Sequence, residues 1–334
     1  MSQTVKVARI LEYGGPEVLK FEKVQIEEPG QGQVLVRNKV LGLNFVDVYY
    51  RRGSFPVAAL PAILGNEAAG VVEAVGPGVT SVAVGDRVAY SDDINGSYAT
   101  ARLYAADRLV AIPAGVSDEE AAAVLLKGLT ARYLLKEMLP LKAGDTVLYH
   151  AAAGGVGQIV ARWGKAMGLK VIGTVSNDAK AAVARAAGCS DVINYRTENF
   201  VDRVMEITAG RGVRAVFDAV GKDTFKSSLH ALALRGMLVV FGKASGDLPD
   251  LNPFKLAPKA LQLAWPILPH YVSTREQLVA ATADLFDAVA SGIVDATPAR
   301  VYPFEQLVQA HRDLEERRTV GSAVLKLECC GGGS

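Results

Sequence analysis

The segment that decides the fold is Thr146-Val147-Leu148-Tyr149-His150-Ala151-Ala152-Ala153-Gly154-Gly155-Val156-Gly157, an apolar strand that runs into a glycine-rich loop and then into a helical stretch. From Ala152 the spacing is A-x-G-x-x-G, in which Gly154 lets the backbone approach a pyrophosphate and Gly157 permits close helix–strand packing. Unpaired N–H groups and the helix dipole favour anions at such a helix N-terminus. The loop therefore predicts a dinucleotide-binding site formed by Ala153, Gly154, Gly155, Val156 and Gly157. The alternative is a tight turn that holds no ligand.

Apolar strands alternate with helical stretches on the carboxyl side of this loop. Strands are predicted at 170–175, 191–195, 213–220 and 236–242, each separated from the next by a helical pattern. This βαβ rhythm is typical of a doubly wound parallel sheet. We therefore predict an α/β protein with a Rossmann domain over residues 123–267.

The residues before about position 120 form short alternating or β-branched runs separated by turns, which predicts an antiparallel β domain. Ser117 and Glu120 have the spacing of a capping box, so a helix is expected to begin there. Near the C-terminus the pattern predicts a helix at about 274–291, an amphipathic segment at 304–316 and a strand at 322–327. This tail could complete the sheet of the first domain, which would then be discontinuous, with residues 1–122 and 268–330.

Length and composition restrict the class of protein. At about 150 residues per domain, 334 residues correspond to about two domains. The 36 basic and 35 acidic side chains leave a charge of +1, so no overall field would attract nucleic acid or an anionic membrane. Apolar runs such as 121–126 fall short of the roughly 18 residues of a membrane span. The N-terminus has no apolar signal-peptide core, and a cytoplasmic location is the default.

The three cysteines, Cys189, Cys329 and Cys330, cannot form a spaced disulfide framework, which agrees with a reducing compartment. The last four residues, Gly331-Gly332-Gly333-Ser334, are expected to be a flexible tail or an added segment, and whether the final Cys-Cys-Gly-Gly-Gly-Ser is native stays open.

The end of the second strand predicts which dinucleotide binds. An NAD site usually has Asp or Glu there to bind both ribose hydroxyls. This strand ends in Val175-Ser176-Asn177, without an acid, whereas Lys180 and Tyr195-Arg196 follow nearby. These groups suit a 2′-phosphate and therefore NADPH. In the alternative interpretation, Lys180 is a solvated helix residue and Tyr195 a packing residue.

The residues of a catalytic zinc site are absent. Thiolate and imidazole would be its ligands, yet no cysteine precedes position 189 and Asn66 stands where such a site would place histidine. His150, His230, His270 and His311 lack metal spacing and are predicted to be structural or surface residues. We therefore expect no metal.

With these motifs the chain resembles the zinc-free quinone oxidoreductases of the medium-chain dehydrogenase/reductase superfamily, the group that includes zeta-crystallin. The motifs that carry the resemblance are Tyr13–Leu19, Asn44–Arg51, Leu64–Gly70, Leu126–Thr130, His150–Gly157 and Ile193–Arg196. The resemblance covers nearly all of residues 5–328. It implies a GroES-like β domain formed from both chain ends, with the Rossmann domain inserted.

The resemblance also implies the roles of individual residues. Asn44, Tyr49 and Thr130 would line the nicotinamide end and form the catalytic set, and Ser176, Lys180 and Tyr195 would hold the 2′-phosphate. The remaining residues of the implied cofactor site are Lys127, Gly173, Thr174, Phe241, Gly242 and Ser245.

The implied reaction is hydride transfer from NADPH to a small-molecule quinone or conjugated carbonyl. Tyr49 could donate a hydrogen bond to the acceptor oxygen and Asn44 could orient nicotinamide or substrate, although both could instead be structural. Two rival functions stay open: an enone or enal reductase, and a cofactor-binding protein with little turnover. A homodimer joined through the Rossmann domain is expected, supported by the apolar strand 237–241 and by the run 261–264, which could be an edge strand that pairs with its copy.

Overall fold

The computed structural model describes residues 2–91 and 95–328, which fall into two compact units. The first unit contains the described residues of Met1–Leu126, Val272–Ala290 and Ala296–Ser334; the second contains Lys127–Tyr271 and Ser291–Asp295. The folding domains predicted at 1–122 with 268–330 and at 123–267 stay a prediction. The tail from Cys329 to Ser334 lies outside the described residues.

The N-terminal part of the first unit is built mainly of strands. Short β-branched runs separated by glycine and proline turns account for them. In chain order its elements are β1 (Gln3–Ile10), β2 (Lys20–Ile26), β3 (Gln33–Leu43), α1 (Phe45–Arg52), β4 (Ala62–Ile63), β5 (Glu67–Val75), β6 (Arg87–Ser91), β7 (Ala101–Ala105) and β8 (Val110–Ala111). The next element, α2 (Asp118–Lys136), begins in this unit, and from Lys127 onward it belongs to the second unit. The Ser117 capping box is confirmed, because Glu120 Oε2 accepts the Ser117 N–H at 2.8 Å and Ser117 Oγ accepts the Glu120 N–H at 3.1 Å.

The second unit carries the predicted alternation of strands and helices. Its elements are β9 (Thr146–Tyr149), α3 (Gly155–Ala166), β10 (Lys170–Val175), α4 (Asp178–Ala186), β11 (Asp191–Asn194), α5 (Phe200–Ile207), β12 (Val213–Asp218), α6 (Phe225–Ala231), β13 (Leu232–Val240) and β14 (Gln262–Ala264). The strands pair in parallel in the order β11-β10-β9-β12-β13-β14. The doubly wound parallel sheet is thus confirmed, with β13 beginning four residues earlier than predicted.

The C-terminal segment returns to the first unit, as the sequence indicated. Its elements are α7 (Arg275–Ala290), β15 (Arg300–Pro303), α8 (Leu307–Glu315) and β16 (Ala323–Lys326). β16 pairs antiparallel with β3, in the sheet order β15-β16-β3-β5-β6-β8, and β7 also pairs with β3. The expectation that the tail completes the first sheet is confirmed, and with it the antiparallel, GroES-like character of this unit.

Each unit has its own apolar core. Tyr302, Phe304 and Leu307 from the C-terminal segment pack with strand residues such as Leu41 and Val72 in the first unit. In the second unit, the parallel strands bring their carboxyl ends to one edge, which is where ligands bind in such sheets. Among the described residues, no helix combines the length and the apolar character needed to cross a bilayer.

Candidate functional site

The glycine-rich loop lies at the carboxyl edge of the parallel sheet. Gly154 is the N-cap of α3 and provides no side-chain cap, and the first N–H groups of a helix have no intrahelical acceptor. A Cβ on Gly157 would lie 2.7 Å from the Ala152 carbonyl oxygen and 2.8 Å from that of Ala151. Only glycine therefore lets α3 begin this close to the loop, and the resulting concave backbone suits an anion.

The residues predicted to bind a 2′-phosphate lie around the end of β10. Ser176 follows that strand directly and is half-buried. The backbone N–H of Tyr195 donates to the Val175 carbonyl at 3.1 Å, so Tyr195 lies beside it with a side chain that is 41% exposed. Lys180 lies in the first turn of α4, where its N–H donates to Asn177 Oδ1 at 2.9 Å. Ser176, Lys180 and Tyr195 thus lie near this strand end, and the contact of their side chains with a cofactor stays a prediction.

Gly173 and Thr174 support the loop from within the sheet. Ala152 N–H donates to the Thr174 carbonyl at 3.0 Å, and a Cβ on Gly173 would meet Ala152 Cβ at 2.6 Å. The Thr174 hydroxyl is buried and lies 3.0 Å from Nδ1 of His150. The contacts observed at both side-chain positions are internal to the sheet edge, and the cofactor contact that the resemblance implies for Gly173 and Thr174 stays a prediction.

His150 is buried at this edge of the sheet, where its ring contacts side chains from β10 and α6. Its Nε2 lies 2.9 Å from Ser228 Oγ, and Ser228 is 3.4 Å from Oδ2 of Asp218. Asp218 in turn accepts the Val220 and Gly221 N–H groups at 2.8 and 3.0 Å. Burial lowers the pKa of His150, so the ring is neutral. The network ties the ends of β9, β10 and β12 to one another.

The segment after β13 closes the same edge. Phe241 N–H donates to the Asp218 carbonyl at 3.0 Å, and Gly242 packs on Ala219. Ser245 Oγ donates to the Val220 carbonyl at 2.8 Å and accepts the Asp223 N–H at 3.0 Å. These contacts hold the segment in a defined conformation at the carboxyl edge.

Helix α1 of the first unit carries Asn44 and Tyr49. Asn44 and Asp47 form a capping box at its N-terminus, and Asp47 Oδ2 accepts the Asn44 N–H at 2.9 Å. The Tyr49 ring meets Phe45 and Phe55 edge to face, with centroids 5.3 and 5.1 Å apart. The Tyr49 ring is thus 8% exposed and packs between two half-buried aromatic rings.

Glu67 is a buried residue that sequence reasoning did not assign. Its Oε2 accepts Asn44 Nδ2 at 2.8 Å and its Oε1 accepts the Leu126 N–H at 2.6 Å. A Cβ on Gly42 would collide with Glu67 Oε2, so the glycine makes room for this carboxylate. The spacing Asn44-x-x-Asp47 is a capping signal that could have indicated α1, but nothing in the sequence pointed to Glu67 as its neighbour.

These residues do not fit a catalytic zinc ion. Both oxygens of Glu67 already accept hydrogen bonds, and the neighbouring residue is the amide Asn66 rather than an imidazole. Cys189 belongs to the second unit, where burial raises the pKa of its thiol to about 12. Within residues 2–91 and 95–328, no group of three or more His, Cys, Asp or Glu side chains is arranged to hold a metal ion.

Lys127 and Thr130 lie on the part of α2 that belongs to the second unit. They are three residues apart, so they share a face of the helix. Both are 7% exposed. The structure thus places Lys127 and Thr130 on one helix face in the second unit, and Asn44 and Tyr49 on α1 in the first.

Comparisons with known proteins agree with this architecture. Residues 30–135 match the alcohol dehydrogenase GroES-like domain, and residues 155–287 match the zinc-binding dehydrogenase family. A quinone oxidoreductase of Pseudomonas aeruginosa is 46% identical over 314 residues, which are 94% of this chain and 97% of that protein. A 2-haloacrylate reductase of Burkholderia sp is 42% identical over 331 residues, covering 96% of this chain and 98% of that protein.

A solved structure shows the same fold. The crystal structure of Escherichia coli quinone oxidoreductase complexed with NADPH superposes with a TM-score of 0.94 at 43% identity, over 96% of this chain and 99% of that one. The chain therefore belongs to the quinone oxidoreductase family of the medium-chain dehydrogenase/reductase superfamily.

Proposed function

We propose that this chain is an NADPH-dependent quinone oxidoreductase that works without zinc. The observation that carries the proposal is the glycine-rich loop at the carboxyl edge of the parallel sheet, in a chain 46% identical to a quinone oxidoreductase over nearly its whole length. The Escherichia coli relative was crystallised in complex with NADPH, which supports the same dinucleotide for this chain. The absence of an acid at the end of β10 favours the same choice.

The residues of the second unit would hold the cofactor, which when bound supplies a hydride for an electron-poor acceptor. The first-turn N–H groups of α3 would bind its pyrophosphate. Lys180 would contribute a charge-assisted hydrogen bond to the 2′-phosphate, with Ser176 and Tyr195 as further donors. Lys127, Thr130 and the Phe241–Ser245 segment are proposed for the nicotinamide half.

The residues of the first unit would bind the acceptor. The Tyr49 hydroxyl would donate a hydrogen bond to a quinone oxygen, while Phe45 and Phe55 offer aromatic edges and faces to a planar ring. Asn44 would orient the acceptor or the nicotinamide. A quinone needs no strong acid, because water can protonate the hydroquinone anion, so positioning in a dry site is what the protein must supply.

The second candidate activity is reduction of a conjugated carbon–carbon double bond. It is favoured by the 42% identity to a 2-haloacrylate reductase. The same hydride would then go to carbon rather than to a quinone, and the substrate would be an enone or enal.

The test is an NADPH-oxidation screen of the purified protein against benzoquinones and simple enones, with product analysis. Faster turnover of quinones to hydroquinones is expected. Exclusive reduction of enones to saturated carbonyls would establish the second candidate, and no oxidation with either class would leave a cofactor-binding protein. Elemental analysis of the active sample should find no stoichiometric zinc, and activity lost to a chelator and restored by zinc would contradict the metal-free proposal.

We further propose a cytoplasmic homodimer assembled through the second unit. β14 lies at an edge of the parallel sheet, where unpaired backbone groups can pair with a second copy. Nearby in sequence, Phe254 is 84% exposed, Leu263 40% and Trp265 42%. The buried thiol of Cys189 agrees with a reducing compartment. Light scattering should report twice the chain mass at micromolar concentration, and a monomer would refute the dimer.

A further inference from the structure

Helix α1 has two faces of different chemistry. Asp47 and Arg51 are four residues apart and fully buried, so they lie on one face. Phe45 and Tyr49 are also four apart and lie about 200° around the helix from that pair, at about 100° per residue. The rotation of α1 about its axis therefore decides where the Tyr49 hydroxyl points.

A chain of hydrogen bonds joins the two buried charges through side chains from distant parts of the sequence. Arg51 Nη1 lies 3.3 Å from Nδ1 of His311, which belongs to α8. Nε2 of His311 lies 3.0 Å from the Tyr98 hydroxyl, and that hydroxyl donates to Asp47 Oδ2 at 2.8 Å. One histidine thus bridges, through a tyrosine, the two charged residues of the same helix face.

The charges at the ends fix the direction of every bond in this chain. A guanidinium can only donate and an ionised carboxylate can only accept. His311 must therefore accept at Nδ1 and donate from Nε2, which requires a neutral ring. Burial, followed by the charge of Arg51, lowers the pKa of His311 to about 3, so the neutral form prevails at ordinary pH. Burial and Asp47 raise the pKa of Tyr98, which keeps its proton.

The chain is anchored at both ends. Asp47 Oδ2 also accepts the Asn44 N–H at 2.9 Å, where α1 begins. At the other end, Arg51 Nη2 lies 2.6 Å from Glu315 Oε1, and Arg51 Nε donates to the Gly14 carbonyl at 3.1 Å. Helix α8 is thereby coupled to both turns of α1.

We propose that His311 is a positioning residue for the acceptor: from α8 it fixes the rotation of α1 and thereby the place of the Tyr49 hydroxyl. The inference rests on the proposed function, in which Tyr49 binds the acceptor oxygen. His311 acts through Tyr98, Asp47 and the helix. If His311 served packing alone, its replacement would lower the stability of the protein, and its effect on kcat would not depend on whether Tyr49 is present.

The experiment is a double-mutant cycle in kcat with NADPH and benzoquinone, using His311→Leu, Tyr49→Phe and the double variant. Loss of one hydrogen bond corresponds to up to about tenfold in rate, which is the decrease expected for each single change. In the Tyr49→Phe background, His311→Leu should cost less than about twofold more, because the hydroxyl it positions is gone. His311→Gln retains a donor and an acceptor and should recover most of the loss.

Tyr98→Phe is a second variant that interrupts the same hydrogen-bond chain. It removes one hydroxyl and keeps the ring, so it is less disruptive to folding than His311→Leu. It should show the same coupling to Tyr49→Phe, while the NADPH dissociation constant, which we attribute mainly to the pyrophosphate and 2′-phosphate contacts in the second unit, stays within about twofold of the original. Multiplicative effects in both cycles, or unchanged kcat in the single variants, would overturn the positioning role. If no quinone supports NADPH oxidation by the unmodified protein, the proposed function itself is wrong, and the positioning role is wrong with it.

Discussion

The glycine-rich loop of the second unit and helix α1 of the first differ in what builds them. The loop is made of consecutive backbone groups from Ala151 to Gly157, packed so closely that a Cβ at Gly157 would collide with two carbonyl oxygens. The surroundings of α1 are made of side chains, and Arg51 and His311 meet across 260 positions of sequence. A backbone-built site is sensitive to added atoms, whereas a side-chain-built site is sensitive to a single removed or altered polar atom.

The largest effect is expected where a side chain supplements the backbone site. Lys180→Ala should weaken NADPH binding by roughly 10- to 150-fold, because a charge-assisted hydrogen bond contributes about 1.5–3 kcal/mol, and NADH binding should barely change. Fluorescence titration with both dinucleotides measures it. Lys142→Ala, on the exposed turn before β9 and so at the opposite edge of the sheet, is the matched control. Equal weakening of both cofactors would mean that Lys180 acts through the fold.

Gly157→Ala adds one atom to the backbone-built site. We expect a loss of about 1–3 kcal/mol in the free energy of unfolding, as for other overpacked positions, together with weaker NADPH binding. Urea denaturation and fluorescence titration check the two effects. Gly115→Ala is the control, because a Cβ there meets nothing within 4 Å. Equal behaviour of the two variants would remove the steric argument for the loop.

Glu67→Gln tests the side-chain-built site without changing its volume. Asn44 Nδ2 and the Leu126 N–H both donate to this carboxylate, but an amide offers only one oxygen, so one donor should face an NH₂ group. A buried unsatisfied group costs about 1–3 kcal/mol, to be measured by urea denaturation. Glu73→Gln is the exposed counterpart, whose ion pair with Arg37 should be worth at most about 1 kcal/mol. A larger loss from Glu73→Gln would contradict the assignment.

We expect the free energy of unfolding to decrease on acidification, because two buried histidines are neutral in the native state. His311 has its pKa lowered from 6.5 to about 3, and that of His150 is also lowered. Below pH 6.5 the unfolded chain binds protons at these histidines that the native state does not bind. The contribution of the histidines to the free energy of unfolding is therefore fully present above pH 6.5 and is lost as the pH falls. Each histidine contributes at most about 1.4 kcal/mol per pH unit. Urea denaturation between about pH 7 and 5 should show this slope, reduced in His311→Gln; an unchanged slope in that variant would show that His311 titrates normally.

The same contrast explains what could be predicted from the sequence. The parallel sheet, the loop and the return of the C-terminal strand to the first sheet were predicted, because each depends on local periodicity or on glycine spacing. Helix α1 was missed, since it follows an 11-residue strand and its capping residue Asn44 was considered only for the active site or as a structural residue. His311 was predicted to be structural or at the surface, and its bonds to Arg51 and Tyr98 could not be derived because they depend on tertiary packing.

We propose above all that the second unit binds NADPH through the glycine-rich loop and the end of β10. Calorimetric titration of the unmodified protein with NADPH and with NADH tests this binding directly. We expect one site per chain and tighter binding of NADPH, by the roughly 10- to 150-fold that the Lys180 contact corresponds to. Tighter binding of NADH, or binding of neither dinucleotide, would contradict it.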